Sequence, residues 1–165
     1  MRERIKVYIE RCRDSAVIPA YANPGDAGMD LFAAEDVVLA PGETKAIPTG
    51  LKVAIPHGYE IQVRPRSGIS LRTMLRLSNS PGTIDSGYRD EVGIIMSNIS
   101  DTDSVGNNCS LDKNMGGSGT YNIKKGDRIA QFVLSRVPEI NFAETSDVSL
   151  IGINRGGGFG STGNK

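Results

Sequence analysis

Short apolar runs alternate with turn residues along almost the whole chain. The runs "IKVYI", "VVLA", "LKVAI", "EIQV", "VGIIMS" and "RIAQFVL" are rich in Val, Ile and Tyr. Between them stand "NPGDAG", "APGE", "IPTG", "IPHGY", "RPRSG", "SPGT" and "KKGDR", each carrying Gly or Pro. Apolar runs of this length, closed on both sides by turn residues, read as strands. No segment keeps a 3.6-residue apolar period for long, and only "GISLRTMLRL" offers a short helix or turn. The pattern predicts an all-β chain that closes as a barrel or double-sheet jelly roll.

Two segments break the rhythm. Residues 100–122, "SDTDSVGNNCSLDKNMGGSGTYN", are polar and read as a long surface loop between two strands, with room for a short hairpin. From about Glu144 the chain becomes a tail that ends in "INRGGGFGSTGNK", whose glycines lose too much backbone entropy to hold a helix or strand. Gly158 and Gly163 have Walker A spacing, but Asn164 and Lys165 stand where Lys and Ser/Thr are required, so a phosphate loop is excluded. The expected organisation is one β domain over residues 1–143 and a C-terminal arm over 144–165.

Composition narrows the function. A chain of 165 residues suits one domain with a sizeable core. Lys+Arg and Asp+Glu both number 19, so the net charge is zero, whereas a protein that coats nucleic acid shows a basic excess. An anionic ligand must then be met by local groups, which favours a small substrate over nucleic acid. The start, "MRERIKVYIE", is charged and lacks a signal peptide's apolar stretch, and no run reaches the length of a membrane helix. A cytoplasmic protein without a membrane partner is expected. Cys12 and Cys109 are far apart and read as reduced thiols. His57 is the single histidine, which excludes His-rich zinc sites and argues against a Ser-His-Asp arrangement; it reads as a turn residue.

Four places are more polar than a strand-turn protein needs. In "GDAGMDLFA", Asp26 and Asp30 flank a Gly turn, as an Asx-turn would. In "RPRSGIS", a surface turn competes with an anion nest, where Arg66 would fork to a phosphate beside Ser67 and main-chain N–H groups. In "LSNSPGTIDSGYRDEVGIIM", Asp85 is either a turn cap or a carboxylate placed to take a proton from water, with the Tyr88 ring as a plane for a ring substrate. In "KKGDRIAQFVL", Gln131 is polar within an apolar run, as an edge residue or a ligand contact.

Taken in order, "AGMDLFA", "RPRSG", "GTIDSGYRDE", "GDRIAQ" and "RGGGFGSTG" resemble the five ordered motifs of the trimeric deoxyuridine triphosphatases, over about Ala27 to Gly163. The resemblance implies an antiparallel β jelly roll, a homotrimer, and active sites at subunit interfaces built from three chains. It implies hydrolysis of dUTP to dUMP and pyrophosphate with Mg2+ on the triphosphate, limiting uracil in DNA and supplying dUMP for thymidylate synthesis. On this pattern Asp85 is the general base, and Asp30 holds metal-bound waters, the ion itself resting mainly on the triphosphate. Arg66, Ser67 and Gly68 match phosphate contacts. Asn79, Gly82, Thr83, Ile84 and Gly93 match the hairpin that receives uracil, and Tyr88 would leave no room for a 2′-hydroxyl. Gln131 would order phosphate or water. In the arm, Arg155 would meet the terminal phosphate, Phe159 would stack on uracil, and Gly160, Ser161 and Thr162 would close on the nucleotide.

The chain departs from the pattern at Gly87, where an acidic residue is usual, and at Asp90, where a glycine is usual. It has one residue fewer between Arg155 and Phe159, and its 100–122 loop is longer. Two other functions fit the same architecture. One is a nucleotide-sensing binding protein. The other is a relative of the dCTP deaminases, which would need a catalytic Glu beside the base pocket and lack "GTIDSGY".

Overall fold

Most strands bury alternate residues, as the period-two geometry of a pleated strand requires. In the computed structural model, which describes residues 3–104, 107–111, 117–154 and 156, twelve strands and one α-helix are found among the described residues. The strands are β1 (Tyr8–Arg11), β2 (Met29–Phe32), β3 (Val37–Leu39), β4 (Thr44–Pro48), β5 (Leu51–Ala54) and β6 (Tyr59–Arg64). After helix α1 (Ser67–Arg72) come β7 (Leu75–Leu77), β8 (Gly82–Ile84), β9 (Gly93–Asn98), β10 (Asn108–Ser110), β11 (Thr120–Ile123) and β12 (Arg128–Arg136). The helix falls inside the one segment whose sequence allowed it.

Among the described residues four sheets form, in the orders β2-β12-β6-β8, β4-β9-β7, β10-β11-β3 and β1-β5. Leu31, Ile61, Ile84 and Phe132 of the first pack with Ile47, Leu75, Ile94 and Met96 of the second, and with Leu39, Tyr121 and Ile123 of the third, in one core. Each such side chain, once fully buried, stabilises the fold by roughly 1.5–3 kcal/mol. The all-β jelly roll expected from the sequence is the observed fold.

Every strand pair among the described residues is antiparallel except one. β10 runs parallel to β11, so the space left for a hairpin in the 100–122 loop holds a parallel pair instead. Buried polar groups hold this excursion to the body. Asn98 Nδ2 donates to the carbonyls of Leu39 (3.0 Å) and Gly119 (2.7 Å), and its Oδ1 accepts from Ser100 N at 3.0 Å. The Tyr121 hydroxyl donates to the Gly117 carbonyl at 2.7 Å and accepts from Met74 N at 3.0 Å. A polar composition signals a loop, but cannot reveal which polar side chains end up buried as anchors.

His57 lies in a turn, as expected, and both cysteines are free, Cys12 exposed and Cys109 buried. Beyond β12 no further strand forms among the described residues, and residues 136–154 are all exposed.

Candidate active site

β8 ends its sheet, with no strand beyond it among the described residues. An edge strand leaves a row of main-chain N–H and C=O groups without ladder partners. Here that edge borders a cavity of about 150 Å3. Gly82, Thr83 and Ile84 line one side, Gly93 and Ile95 of β9 another, and Asn79 and Tyr88 also contribute. Ligand pockets usually measure roughly 300–1,000 Å3, so this one suits a single ring and not a whole nucleotide. A Cβ on Gly82 would stand 3.2 Å from Asn79 Nδ2 and 3.3 Å from Val63 Cβ, so only glycine keeps this wall thin.

Asp85 leaves β8 directly beside the cavity. Its carbonyl accepts from Tyr88 N at 3.1 Å, which closes a turn, and the Tyr88 hydroxyl donates to the Glu91 carbonyl at 2.9 Å. The Asp85 side chain is exposed, and among the described residues its carboxylate has no partner. Such a carboxylate is free to take a water. Gly87 has no positive φ, and a Cβ there would meet nothing within 4 Å, so the turn does not depend on this unusual glycine.

A second group of expected residues gathers elsewhere. Arg66 Nε donates to Asp30 Oδ1 at 2.8 Å, and Arg128 Nη1 donates to Asp30 Oδ2 at 3.3 Å. Arg66 Nη1 also donates to the Arg128 carbonyl at 3.3 Å. β12 carries a register shift between Arg128 and Ala130, and such bulges re-aim side chains. Gln131 pairs with Asp30 on one side and Arg64 on the other, and its Nε2 donates to the Pro65 carbonyl at 2.9 Å. A Cβ on Gly28 would run into the Gln131 side-chain oxygen, so that glycine keeps the amide in place. Ser67 and Gly68 open α1, whose first N–H groups have no intrahelical acceptor.

Asp85 and the Arg66 cluster lie at different levels along β6, and the cavity, which Val63 also lines, falls between them. Register puts Gly82 opposite Val63 and Ile84 opposite Ile61, so Asp85 emerges level with Glu60. Arg66 follows the other end of β6. Six residues of extended chain separate those levels, about 20 Å at roughly 3.3 Å per residue. One chain therefore does not bring Arg66, Asp30 and Gln131 to Asp85. Arg155, Phe159, Gly160, Ser161 and Thr162 lie outside the described residues.

The sequence model of the dUTPase family matches residues 14–108. The chain belongs to the dUTPase family. It is similar to the deoxyuridine 5′-triphosphate nucleotidohydrolase of Zymomonas mobilis, with 45% identity over 97% of this chain and 99% of the relative. It is also similar to the solved dUTPase of Staphylococcus bacteriophage 80alpha with dUPNHPP, at TM-score 0.85 and 30% identity, covering 96% of this chain and 99% of that one. A mutant dUTPase of phage phi11 of S. aureus, in which a structural Mg(II) ion is coordinated, matches at TM-score 0.76 and 30% identity, over 87% of this chain and 98% of that one.

For a member of the dUTPase family, the donor set decides how a metal could be held. Among the described residues no three His, Cys, Asp or Glu side chains group as a cage. Asp30 is shared between two arginines. These groups suit a Mg2+ that arrives on a triphosphate and keeps most of its waters, as this ion prefers. Sequence reading missed Arg128 as the second partner of Asp30, and Val63, Val92 and Ile95 as cavity lining. Ile95 left a trace in "GIIM": consecutive apolar residues on a strand need cover on both faces.

Proposed function

We propose that this protein hydrolyses dUTP to dUMP and pyrophosphate in sites shared between three copies of the chain. The separation of about 20 Å along β6 between the level of Asp85 and that of Arg66 carries this reading, because a general base and its phosphate-binding groups must meet at one triphosphate. A neighbouring copy would bring its Asp30, Arg66, Ser67, Gly68 and Gln131 to the Asp85 of the first. The segment after β12 supports the same assembly. Ile140, Phe142, Val148, Leu150, Ile151 and Ile153 are exposed, Ile153 at 99%, and apolar surface on this scale marks an interaction site. We assign residues 144–165 to an arm that crosses to another copy and closes over its nucleotide, with Arg155 on the terminal phosphate, Phe159 on uracil, and Gly160, Ser161 and Thr162 beside the phosphates.

In this reading the uracil edge pairs with main-chain groups of β8, across from Gly93, with Asn79 at the cavity. Cytosine presents the reversed donor and acceptor order and would leave peptide groups unpaired. The 5-methyl group of thymine would crowd the thin wall at Gly82. The Tyr88 ring lies against the deoxyribose and takes the space of a 2′-hydroxyl. The substrate is the magnesium complex of dUTP, in which the ion spreads and neutralises phosphate charge. Asp30 has acceptor capacity left for a metal-held water after its arginine contacts. Asp85 accepts a proton as its water attacks the α-phosphorus, the bond to the bridging oxygen breaks, and pyrophosphate leaves. The activity would keep uracil out of DNA and supply dUMP.

The test is incubation with dUTP, dCTP, dTTP and UTP plus Mg2+, with pyrophosphate measured. Release from dUTP alone is expected. Absence of release from dUTP sinks the proposal, and ammonia released from dCTP, measured beside pyrophosphate, points to the deaminase chemistry instead.

A further inference from the structure

Arg13 and Glu91 stand 78 positions apart and meet through both branches of their side chains. Arg13 Nε donates to Glu91 Oε1 at 2.8 Å and Nη2 to Oε2 at 3.0 Å. A planar guanidinium fork on a carboxylate fixes orientation as well as distance. The third branch, Nη1, donates to Glu35 Oε2 at 2.7 Å. Glu91 Oε1 also accepts from Gly50 N at 2.8 Å, and the Glu91 side chain is only 26% exposed.

The ground under this pair is tightly fitted. Gly50 has φ +71°, and a Cβ there would come within 2.7 Å of Ala16 Cβ and 3.1 Å of Arg13 Cβ. Cys12 N donates to the Gly50 carbonyl at 2.8 Å. Residues 12–16 therefore lie directly on the turn between β4 and β5. That turn also holds Val92, whose carbonyl accepts from Thr49 N (3.2 Å) and Thr49 Oγ1 (2.7 Å) and whose N donates to the Leu51 carbonyl at 2.8 Å. Glu91 sits between Tyr88, bound to its carbonyl, and Val92 and Gly93. Tyr88, Val92 and Gly93 all line the cavity, while Arg13 and Glu91 do not.

We propose that Arg13 and Glu91 are positioning residues for nucleotide selection: their forked contact clamps the Tyr88–Gly93 segment at the width that admits a deoxyuridine. The proposal rests on the dUTP reading of the cavity. From Asp85 to Asp90 the segment is otherwise tied by the turn bond of Tyr88 and by arginine contacts to its own carbonyls. Val92 and Gly93 are already fixed to Thr49, Leu51 and Pro48, so the part that needs an external anchor is the Asp85–Asp90 loop carrying Tyr88. A loosened Tyr88 would weaken binding of the nucleotide in ground and transition state alike.

The experiment measures kcat and KM on dUTP and UTP with the full-length protein. The set is wild type, Arg13→Met, Arg13→Lys, Glu91→Gln and Glu35→Gln. For Arg13→Met, KM for dUTP is expected to rise about ten- to hundredfold, with kcat within about threefold and the preference over UTP reduced. Glu91→Gln keeps an acceptor for Gly50 N and should move in the same direction by less, and Arg13→Lys should recover part of the loss. Glu35→Gln takes the charge from the other partner of Arg13 without touching the cavity wall and should behave as wild type. Unchanged KM and selectivity in both Arg13→Met and Glu91→Gln overturn the clamp, as does an equal effect from Glu35→Gln. A wild type inactive on dUTP overturns the reading of the cavity and the clamp with it, while an active wild type with indifferent variants overturns the clamp alone.

Discussion

The ring-sized cavity and the charged cluster share β6, yet they are made of opposite materials. The cavity is bounded by the main chain of an edge strand, two glycines and apolar side chains. The cluster is a set of long side chains, with Arg66 and Arg128 converging on Asp30 and Gln131 on the Pro65 carbonyl. The difference matches what each would recognise. A base differs from its competitors by a methyl group or a reversed donor–acceptor pair, so rigid backbone separates them well. A triphosphate offers charge and many oxygens, which arginines can follow. Substitutions in the two regions should then fail in different ways.

The largest effect is expected where the two regions would meet. Asp85→Asn should lower kcat by about 10²–10⁴-fold or more while leaving nucleotide binding largely intact. Calorimetric titration beside single-turnover rates would separate the two, and near-normal kcat would remove Asp85 from the role of base. In the cavity, Gly82→Ala places a methyl group against Asn79 and Val63, and should cost roughly 10–200-fold in kcat/KM for dUTP, with little dependence on salt. In the cluster, Arg66→Lys keeps the charge but loses the fork, with an expected rise in KM of about tenfold that grows with ionic strength. If Gly82→Ala were salt-sensitive and Arg66→Lys were not, the two regions would not divide the work in this way.

Smaller effects should appear in stability. Asp30→Asn removes the shared anion from two partly exposed arginine contacts, so a loss of about 1 kcal/mol or less is expected in denaturant titration. Glu91 gives a pH test. Burial pushes its carboxyl up, but the Arg13 hydrogen bond, the Gly50 N–H and the charges of Arg13 and Lys52 outweigh burial and hold it below the ordinary value. A depressed carboxyl adds stability above its unfolded pKa, about 4.3, and loses it as pH falls through the lower folded value. The melting difference between wild type and Glu91→Gln should therefore be full at neutral pH and shrink below about pH 4.3.

What could be read in the sequence was local. Turn residues between short apolar runs indicated the strands, and Asp85 and Tyr88 stood out because one turn brings them together within four residues. Asp30, Arg66 and Gln131 also stood out, but nothing in their spacing places Arg66 on Asp30. That contact depends on β12 lying between β2 and β6, a sheet order set by the whole core. Arg128 escaped for the same reason, since a bulge re-aims it. Val63, Val92 and Ile95 line the cavity through register between distant strands, and the forked contact of Arg13 with Glu91 spans 78 positions. The parallel pairing of β10 was hidden by polar residues, among which Asn98 and Tyr121 act as buried anchors.

At each working site, the base cavity and the charged cluster should belong to different copies of the chain. Two inactive variants, Asp85→Asn and Arg66→Ala, should be produced separately, then unfolded and refolded together, with dUTP turnover measured in the mixture. Random assembly of shared sites should restore about a quarter of wild-type activity, because about one site in four would draw an intact Asp85 and an intact Arg66 from different copies. A mixture no more active than its parents would contradict shared sites.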